Sequence, residues 1–321
     1  MDETPKEQTF TFKPTQFLGT PRVIGPPKNG HRSAALLFVI PGLHIGARER
    51  PAFLAIAKAC GLDVFDATLE LGKSQPEDQD YTLVSIAFYV PEGPSEEETS
   101  RNVNDVGRLL LERFMGSLSF LAGMRFSAVA AQTTVARGDG KFATRLEAHS
   151  KVGGEKYKFS LPKVPFGGRV PSEELFSAMF WLRRGLAERD SLETYGALMI
   201  ALQSLARDLV RLEPTEITCS NCGHLQDTLD PSITSLVREL VVTRLGRPKD
   251  LFSRLWKARN AITAHGNRTV TADVFLELIE LKYEAIKLCF DGIKLALGLP
   301  AESQPHPHQA LFISSAMMYV D

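Results

Sequence analysis

The chain has 321 residues, of which 44% are hydrophobic, so it is long enough to bury two separate cores, and two domains are the natural expectation. Its formal net charge of −1 at pH 7 excludes a surface coated with positive charge for general nucleic-acid binding, and leaves only local basic regions for such contacts.

The N-terminus and the cysteines indicate a cytoplasmic protein. Residues 1–8 are acidic and polar and lack a charged-then-apolar leader, and no apolar run approaches the length that spans a membrane. The four cysteines form no disulfide framework, which is typical of a reducing interior. We therefore expect a soluble cytoplasmic protein with no membrane partner.

The first half of the chain has the pattern of a mixed α+β domain. Ala34–Ile40 is a short apolar run that stops at Pro41, which is typical of a strand buried on both faces. Arg50–Cys60 predicts a short helix. Val64–Leu71 and Tyr81–Val90 alternate apolar with polar residues, as a pair of strands does.

A long helix and further strands complete this domain. Helical periodicity runs from Glu96 to Leu121 and stops before Gly123. The glycine-rich stretch at residues 137–140 is a strong hairpin signal. No glycine-rich segment follows a strand and opens a helix, so residues 1–162 show no phosphate-binding loop, and sensing or docking is their predicted task. Three strands are predicted here: Phe126–Ala136, Lys141–Ser150 and Lys156–Leu161.

The second half predicts a helical bundle at residues 172–300, joined to the first domain by a linker at residues 163–171. Ser172 is a predicted N-cap, and acidic residues follow it in the first turn, where the helix dipole favours them. Two long helices are expected between Ser172 and Leu212. Three later helices are expected at about Ser232–Leu245, Leu251–Gly266 and Val274–Leu297.

The last helix and the tail carry two further expectations. Val274–Leu297 is apolar nearly all round, which predicts burial against a second subunit. Residues 301–321 form a tail in which Ala310–Val320 predicts a strand.

The helix at Leu251–Gly266 carries residues suited to phosphodiester chemistry. Asp250 is its predicted N-cap and Gly266 its predicted C′ residue, so His265 stands in the last turn, where the helix dipole favours the imidazolium. Arg259 offers a fork of donors for a phosphate, and Asn260 can donate or accept. With His265 as a proton shuttle, these side chains can cleave a phosphodiester without a metal.

The spacing leaves two interpretations open. Six positions place Arg259 and His265 about 120° apart on a regular α-helix, so they face one cleft only if the last turn tightens to 3₁₀ or the long arginine bridges the gap. Alternatively, Arg259 extends along the helix surface and His265 merely caps the helix end.

The same residues carry a resemblance to a known family. Arg259-Asn260, followed by four residues and His265, resembles the Arg-x(4–6)-His signature of the HEPN superfamily, and the order of helices around it is similar. Trp181–Gln203 (WLRRGLAERDSLETYGALMIALQ) is similar to the opening helices of Apea-like HEPN proteins, and bacterial MauJ-like proteins also resemble this chain. The likeness covers Ser172–Pro300, and Gln203 stands where relatives often place Glu.

The resemblance implies an α-helical HEPN-like bundle and a metal-independent endoribonuclease with Arg259, Asn260 and His265 as its catalytic residues. It implies RNA as the partner and products that end in a 2′,3′-cyclic phosphate. It also implies a homodimer in which two motif helices face one shared cleft. The systems it points to are bacterial antiviral defence and toxins, with the first domain as sensor.

Positive charge is concentrated around the motif. Between residues 238 and 268, eight Lys and Arg stand against two acidic residues, a local net charge of +6 that suits an RNA-facing groove. The predicted RNA-binding residues are Arg254, Lys257 and Arg268. The alternative is a solvated helix face with ordinary Lys/Arg scatter.

A cysteine pair lies in the connection between the second and third helices of the bundle. Cys219 and Cys222, with Gly following, have the spacing of a zinc knuckle, and His224 can be a third ligand. These residues are the candidate ligands of a structural zinc, with the fourth ligand from His306 or His308, and catalysis needs no cofactor. The alternatives are a reduced loop without metal, or a redox motif, which lacks the βαβ unit that it needs.

Two alternatives to the nuclease stay open at this point. A non-catalytic helical dimer that binds RNA or a protein partner would keep Arg259 and His265 as a helix-end network, and replacing either would then lower stability. The MauJ-like resemblance alone indicates an accessory factor in amine metabolism.

Overall fold

A computed structural model describes residues 28–41, 43, 50–61, 63–73, 80–126, 128, 130–136, 142–148, 161, 164–186, 191–218, 225–265, 272–303 and 305–307. The chain divides into two compact units. The first comprises Met1–Leu118 and Phe126–Val170, and the second comprises Ser119–Arg125 and Pro171–Asp321. The fold class is α+β, as the sequence predicts. Within the described residues, no helix has both the length and the apolar character needed to cross a membrane.

The first unit is built on an antiparallel sheet. Its described strands are β1 (His31–Pro41), β2 (Val64–Lys73), β3 (Asp80–Pro91), β4 (Ala130–Ala136) and β5 (Phe142–Ala148). They lie in the order β2-β3-β1-β4-β5, and every neighbouring pair is antiparallel. This order confirms the predicted pairing of the second and third strands and the predicted hairpin between the fourth and fifth.

The core of this unit lies between the sheet and two helices, α1 (Arg50–Ala59) and α2 (Glu96–Ala122). Phe114 of α2 meets Phe38 of β1 and Phe53 of α1 edge to face, with ring centroids 5.3 and 4.9 Å apart. All three rings are fully buried. Strand β1 is buried on both faces, as its continuous apolar run predicts.

The segment predicted as a linker contains a 3₁₀ turn, Pro165–Gly168, which belongs to the first unit. Phe166 in this turn is 1% exposed and has a left-handed backbone conformation, with φ of 57°. The buried Phe166 side chain anchors this turn to the first unit, so this part of the predicted linker is packed onto a domain. Of the predicted strand Lys156–Leu161 only Leu161 is described, and the predicted strand Ala310–Val320 lies outside the described residues.

The second unit is mainly helical. Its helices are α3 (Glu173–Gly185), α4 (Ser191–Leu209), α5 (Ile233–Arg238), α6 (Lys249–His265) and α7 (Ala272–Leu297). Ser172 caps α3 as predicted, because its hydroxyl accepts a hydrogen bond from the Leu175 amide at 3.0 Å. The prediction that Asp250 caps the motif helix is wrong. The helix begins one residue earlier, at Lys249, and Asp250 lies in its first turn, where the dipole still favours a carboxylate.

Helix α7 is central to the second unit. It packs against α3, α4 and α6, and its Phe290 lies 5.4 Å from Phe120 of the Ser119–Arg125 segment. These contacts bury its apolar residues on several sides. The apolar character of α7 is therefore explained within one chain and carries no information about a second subunit.

After α4 the structure contains an unpredicted hairpin, and the predicted helix at about Ser232–Leu245 is found as α5 continued by a π-helical turn. A hairpin joins β6 (Thr215–Thr218) to β7 (Leu225–Leu229), and the turn Glu239–Arg244 after α5 is π-helical. The π-helical turn buries Leu240 and Val241, and four residues follow it before α6 begins at Lys249.

Candidate active site

The motif residues lie in the C-terminal half of α6. The helix stays α-helical as far as His265, so the tightening to 3₁₀ that would align the motif does not occur there. In this geometry the Cα atoms of Arg259 and His265 are separated by about 120° around the axis and about 9 Å along it. The His265 side chain, like the whole of Arg268, lies outside the described residues. Whether the two groups predicted to be catalytic meet therefore stays a prediction.

Arg259 is oriented by two residues of its own helix. Its Nη1 donates to Oδ1 of Asn260 at 3.2 Å, and its guanidinium carbon lies 5.1 Å from the ring centroid of Trp256. Trp256 in turn stacks on Phe252, with centroids 5.9 Å apart and an interplanar angle of 20°. Arg259 is half-buried and Asn260 is exposed. The guanidinium plane is thus held at the surface of α6, beside the predicted Asn partner.

The turn before Arg259 is fixed from two directions. The Tyr195 hydroxyl of α4 donates to the Leu255 carbonyl at 2.6 Å. Arg254 donates to Glu277 at 3.1 Å and to Glu280 at 3.3 Å, both on α7. The hydrogen bonds with these carboxylates raise the pKa of Arg254, so it stays charged. These contacts place α6 against the bundle one turn before the motif.

The basic region around the motif is partly neutralised. Besides Arg254, Arg247 forms an ion pair with Asp291 at 2.7 Å, and Arg244 lies 3.9 Å from Glu239. Most of these carboxylates come from α7, outside the stretch whose charge was counted in the sequence. Of the predicted RNA-binding residues, Arg254 is held by two carboxylates and Lys257 is exposed.

The candidate zinc ligands Cys219, Cys222 and His224 lie outside the described residues. The hairpin that flanks them is described, and its last pair is Thr218 with Leu225. The six-residue stretch between these two therefore begins and ends at neighbouring points of the ladder. Across the described ranges, no group of three or more His, Cys, Asp or Glu could hold a metal ion.

His306, one of the two candidates for the fourth zinc ligand, contacts an ammonium and a carbonyl in this structure. Its Nδ1 lies 3.1 Å from the Lys294 ammonium, and its Nε2 lies 3.2 Å from the Glu302 carbonyl. The ammonium can only donate, so Nδ1 accepts and Nε2 carries the proton that it donates. The lone pair that zinc would need is therefore engaged by Lys294. His308 lies outside the described residues.

Three residues that contact this part of α6 were not predicted from the sequence: Tyr195, Trp256 and Glu277. Trp256 had a usable signal, because it precedes Arg259 by three positions and so shares its helix face. Tyr195 had no such signal, since the carbonyl that accepts its hydrogen bond is sixty residues away in the chain. Glu277 had no local signal either, because it lies 23 residues from Arg254 and on another helix.

Comparisons of the chain with protein-family models, with characterised proteins and with solved structures returned no match. The HEPN resemblance accordingly rests on the Arg259–His265 motif and the order of helices around it.

Proposed function

We propose that the protein is a metal-independent endoribonuclease of the HEPN type, with Arg259, Asn260 and His265 as its catalytic residues. The observation that carries the proposal is the arrangement of Arg259, which Trp256 and Asn260 hold at the surface of α6. A guanidinium with a defined plane can donate hydrogen bonds to two phosphate oxygens in a fixed geometry. Such preorganised charge is what a phosphoryl transition state requires.

The proposed reaction is an internal transfer within RNA. The 2′-oxygen attacks the adjacent phosphorus, a new 2′-O–P bond forms, and the P–O5′ bond breaks. His265 accepts the proton of the 2′-hydroxyl and returns a proton to the leaving 5′-oxygen. Arg259 holds the anionic oxygens, and Asn260 orients the guanidinium. The products are a 2′,3′-cyclic phosphate and a 5′-hydroxyl.

The proposal includes a homodimer with a shared cleft. On a regular α-helix, residues six positions apart point in different directions. Arg259 and His265 can nevertheless serve one phosphate if the two groups come from two copies of α6. Under the resemblance, this nuclease works in the cytoplasm within a defence or toxin system, with the first unit as sensor.

Structural zinc at Cys219, Cys222 and His224 is a separate part of the proposal. The pairing of Thr218 with Leu225 supports it, because a hairpin brings the two flanks of a knuckle together. Zinc there would hold the hairpin loop and take no part in catalysis.

A second function, a non-catalytic helical bundle that binds a partner, is favoured by the charge pairing. Arg244, Arg247 and Arg254 each have a carboxylate partner, which reduces the positive potential available to RNA. Under this second hypothesis, α6 presents a charged face to solvent, and His265 and Arg259 contribute only to the stability of the fold.

RNA cleavage in the presence of a chelator separates the two functions. The wild-type protein should cut RNA in excess EDTA and leave 2′,3′-cyclic phosphate ends, which mass spectrometry of the fragments detects. His265→Ala and Arg259→Ala should each reduce the rate at least about 100-fold without unfolding the protein.

Lys287→Ala is the matched control, because it removes an exposed cation of the same unit, whose ammonium pairs with Glu284 three positions away on its own helix. It should keep the wild-type rate. RNA that is cut equally by wild type and His265→Ala would refute the mechanism, and a lower melting temperature in both motif variants without any cleavage would favour the binding function.

A further inference from the structure

Tyr195 connects the interior of the second unit to the helix that carries the proposed catalytic residues. It lies near the start of α4, its side chain is fully buried, and its hydroxyl donates to the Leu255 carbonyl at 2.6 Å. Leu255 is itself only 1% exposed, so water does not compete for this bond. A hydrogen bond in such surroundings is directional and costly to leave unmade.

The acceptor of this bond lies one helical turn before Arg259. In an α-helix the carbonyl of each residue accepts the amide of the residue four positions later, so the Leu255 carbonyl is the backbone partner of the Arg259 amide. A carbonyl oxygen has two lone pairs and can accept both bonds. The Tyr195 hydroxyl therefore fixes the peptide group that is hydrogen-bonded to the Arg259 amide.

Two adjacent residues of α6 are held by two different helices. Glu277 and Glu280 of α7 bind Arg254, and Tyr195 of α4 binds Leu255. Because these contacts come from different directions, together they define the rotation of α6 about its axis and its position along that axis. Helix α4 packs mainly on α3 and α7 and has a smaller contact with α6. In that small contact, a single directed hydrogen bond contributes a large share of the orientation.

Tyr195 is a stable donor over a wide pH range. Burial, with the nearby negative charge of Glu277 as a smaller cause, raises the pKa of Tyr195 well above that of an exposed tyrosine. The phenol therefore keeps its proton at every pH at which RNA chemistry by His265 would run.

We propose that Tyr195 is a positioning residue for Arg259. The proposal rests on the nuclease function and deepens it: Tyr195 acts through the Leu255 carbonyl and sets where the guanidinium meets the phosphate. It touches neither the RNA nor the reacting atoms. Its loss would displace Arg259 while the bundle stays folded.

The test is Tyr195→Phe, which removes the hydroxyl and keeps the ring in its packed position. We expect kcat for RNA cleavage to fall about 10- to 100-fold, because small displacements of a catalytic group have effects of this size, with KM changed less than about threefold. The double variant Tyr195→Phe/Arg259→Ala should be no slower than Arg259→Ala alone, since both changes remove one contribution.

Ser177→Ala is the matched control. It also removes a half-buried hydroxyl contact between helices, because Ser177 lies 3.2 Å from Ser204 across α3 and α4, but it does not involve α6. This variant should keep the wild-type kcat.

Amide hydrogen exchange supplies a readout that needs no RNA. Tyr195→Phe should speed exchange in peptides that cover residues 255–265 and leave peptides of α3 unchanged. Faster exchange throughout the unit, or additive rate losses in the double variant, would show that only stability was lost and would overturn the positioning role.

The two proposals fail in different ways. If wild type cuts RNA and His265→Ala does not, a Tyr195→Phe protein that cuts at the wild-type rate removes the positioning role and leaves the nuclease intact. A wild-type protein that cuts no RNA overturns both.

Discussion

Arg254 and Arg259 lie five positions apart on one helix, and their side chains contact different kinds of group. Arg254 is bound by two carboxylates of α7, so its charge contributes to holding α6 in place. The Arg259 guanidinium contacts an aromatic ring and an amide of its own helix. At the scale of single residues, the α7 carboxylates make Arg254 a cation that holds the helix, and the proposed phosphate contact is assigned to Arg259 by its place in the motif.

The cysteines give a residue-scale prediction that also tests the zinc proposal. Burial raises the pKa of the Cys60 thiol to about 12, and burial raises the pKa of Cys289 as well, so neither forms thiolate at pH 8 in the folded protein. If zinc holds Cys219 and Cys222, a thiol reagent should label none of the four cysteines rapidly in untreated protein. We expect chelator to release two reactive thiols per chain, and denaturant all four, as read by absorbance.

Cys219→Ser/Cys222→Ser is the control for this titration, and its folded form should show no rapid labelling with or without chelator. Two fast-reacting thiols before chelation would rule out bound zinc. Rapid labelling of Cys60 or Cys289 in the folded protein would contradict their complete burial.

The distance between packed helices and strands limits the size of the side chain that fits at some positions. Gly107 of α2 lies so near β4 that an added Cβ would be 2.5 Å from Cγ2 of Thr133. Thr133 cannot easily turn away, because its hydroxyl donates to Asn104 at 2.6 Å. Gly196 of α4 has open space at the same position.

Replacing each of these two glycines by alanine should change the free energy of unfolding in opposite directions. Gly107→Ala should lower the free energy of unfolding by about 1–3 kcal/mol through overpacking. Gly196→Ala should raise it by about 0.5–1 kcal/mol, because alanine favours the helix and meets no atom. Urea titration measures both, and a Gly107→Ala protein at least as stable as wild type would contradict the close packing of α2 on β4.

Hydrophobic periodicity predicted most elements because each has to bury one face. Helix α2 was expected at Glu96–Leu121 and is found at Glu96–Ala122, and the predicted strand Tyr81–Val90 lies within β3. The hairpin β6–β7 was not predicted, because its strands are short and contain many polar residues. Apolar and polar residues therefore alternate only weakly along them. The π-helical turn Glu239–Arg244 has no sequence period of its own, since packing of the buried Leu240 and Val241 decides it.

The candidate site was predicted only where its residues are neighbours in the chain. The Arg259–Asn260 contact follows from adjacency on one helix. Residues from α4 and α7 entered the site through tertiary packing, and no local pattern announces them. The expected RNA-facing charge was counted along the chain, whereas the carboxylates that offset it, such as Glu277 and Asp291, come from another helix.

For the whole molecule, the central prediction is a cleft shared between two copies. If Arg259 of one copy and His265 of the other serve one phosphate, mixing the inactive variants Arg259→Ala and His265→Ala should restore activity. Each mixed dimer then contains one intact site, so subunit exchange should recover about a quarter of the wild-type rate. Cleavage after co-refolding, with mixed dimers quantified by differently tagged chains, is the measurement.

A mixture of Arg259→Ala with the double variant Arg259→Ala/His265→Ala has no intact site and should stay inactive. Mixed dimers that form without any recovered cleavage would place both groups of a site in one chain. A strictly monomeric protein at working concentrations would remove the shared cleft altogether.

The sequence by itself determined the α+β class, the burial of β1 on both faces and most helix positions, because these depend on the periodic placement of apolar residues along one stretch of chain. It also placed Arg259, Asn260 and His265 on a single helix. Only the tertiary structure decided that α7 is buried within its own unit, that Arg254 is held by carboxylates, and that Tyr195 binds the Leu255 carbonyl. Those facts join residues far apart in sequence, and such contacts form only when helices pack, so no pattern read along the chain contains them.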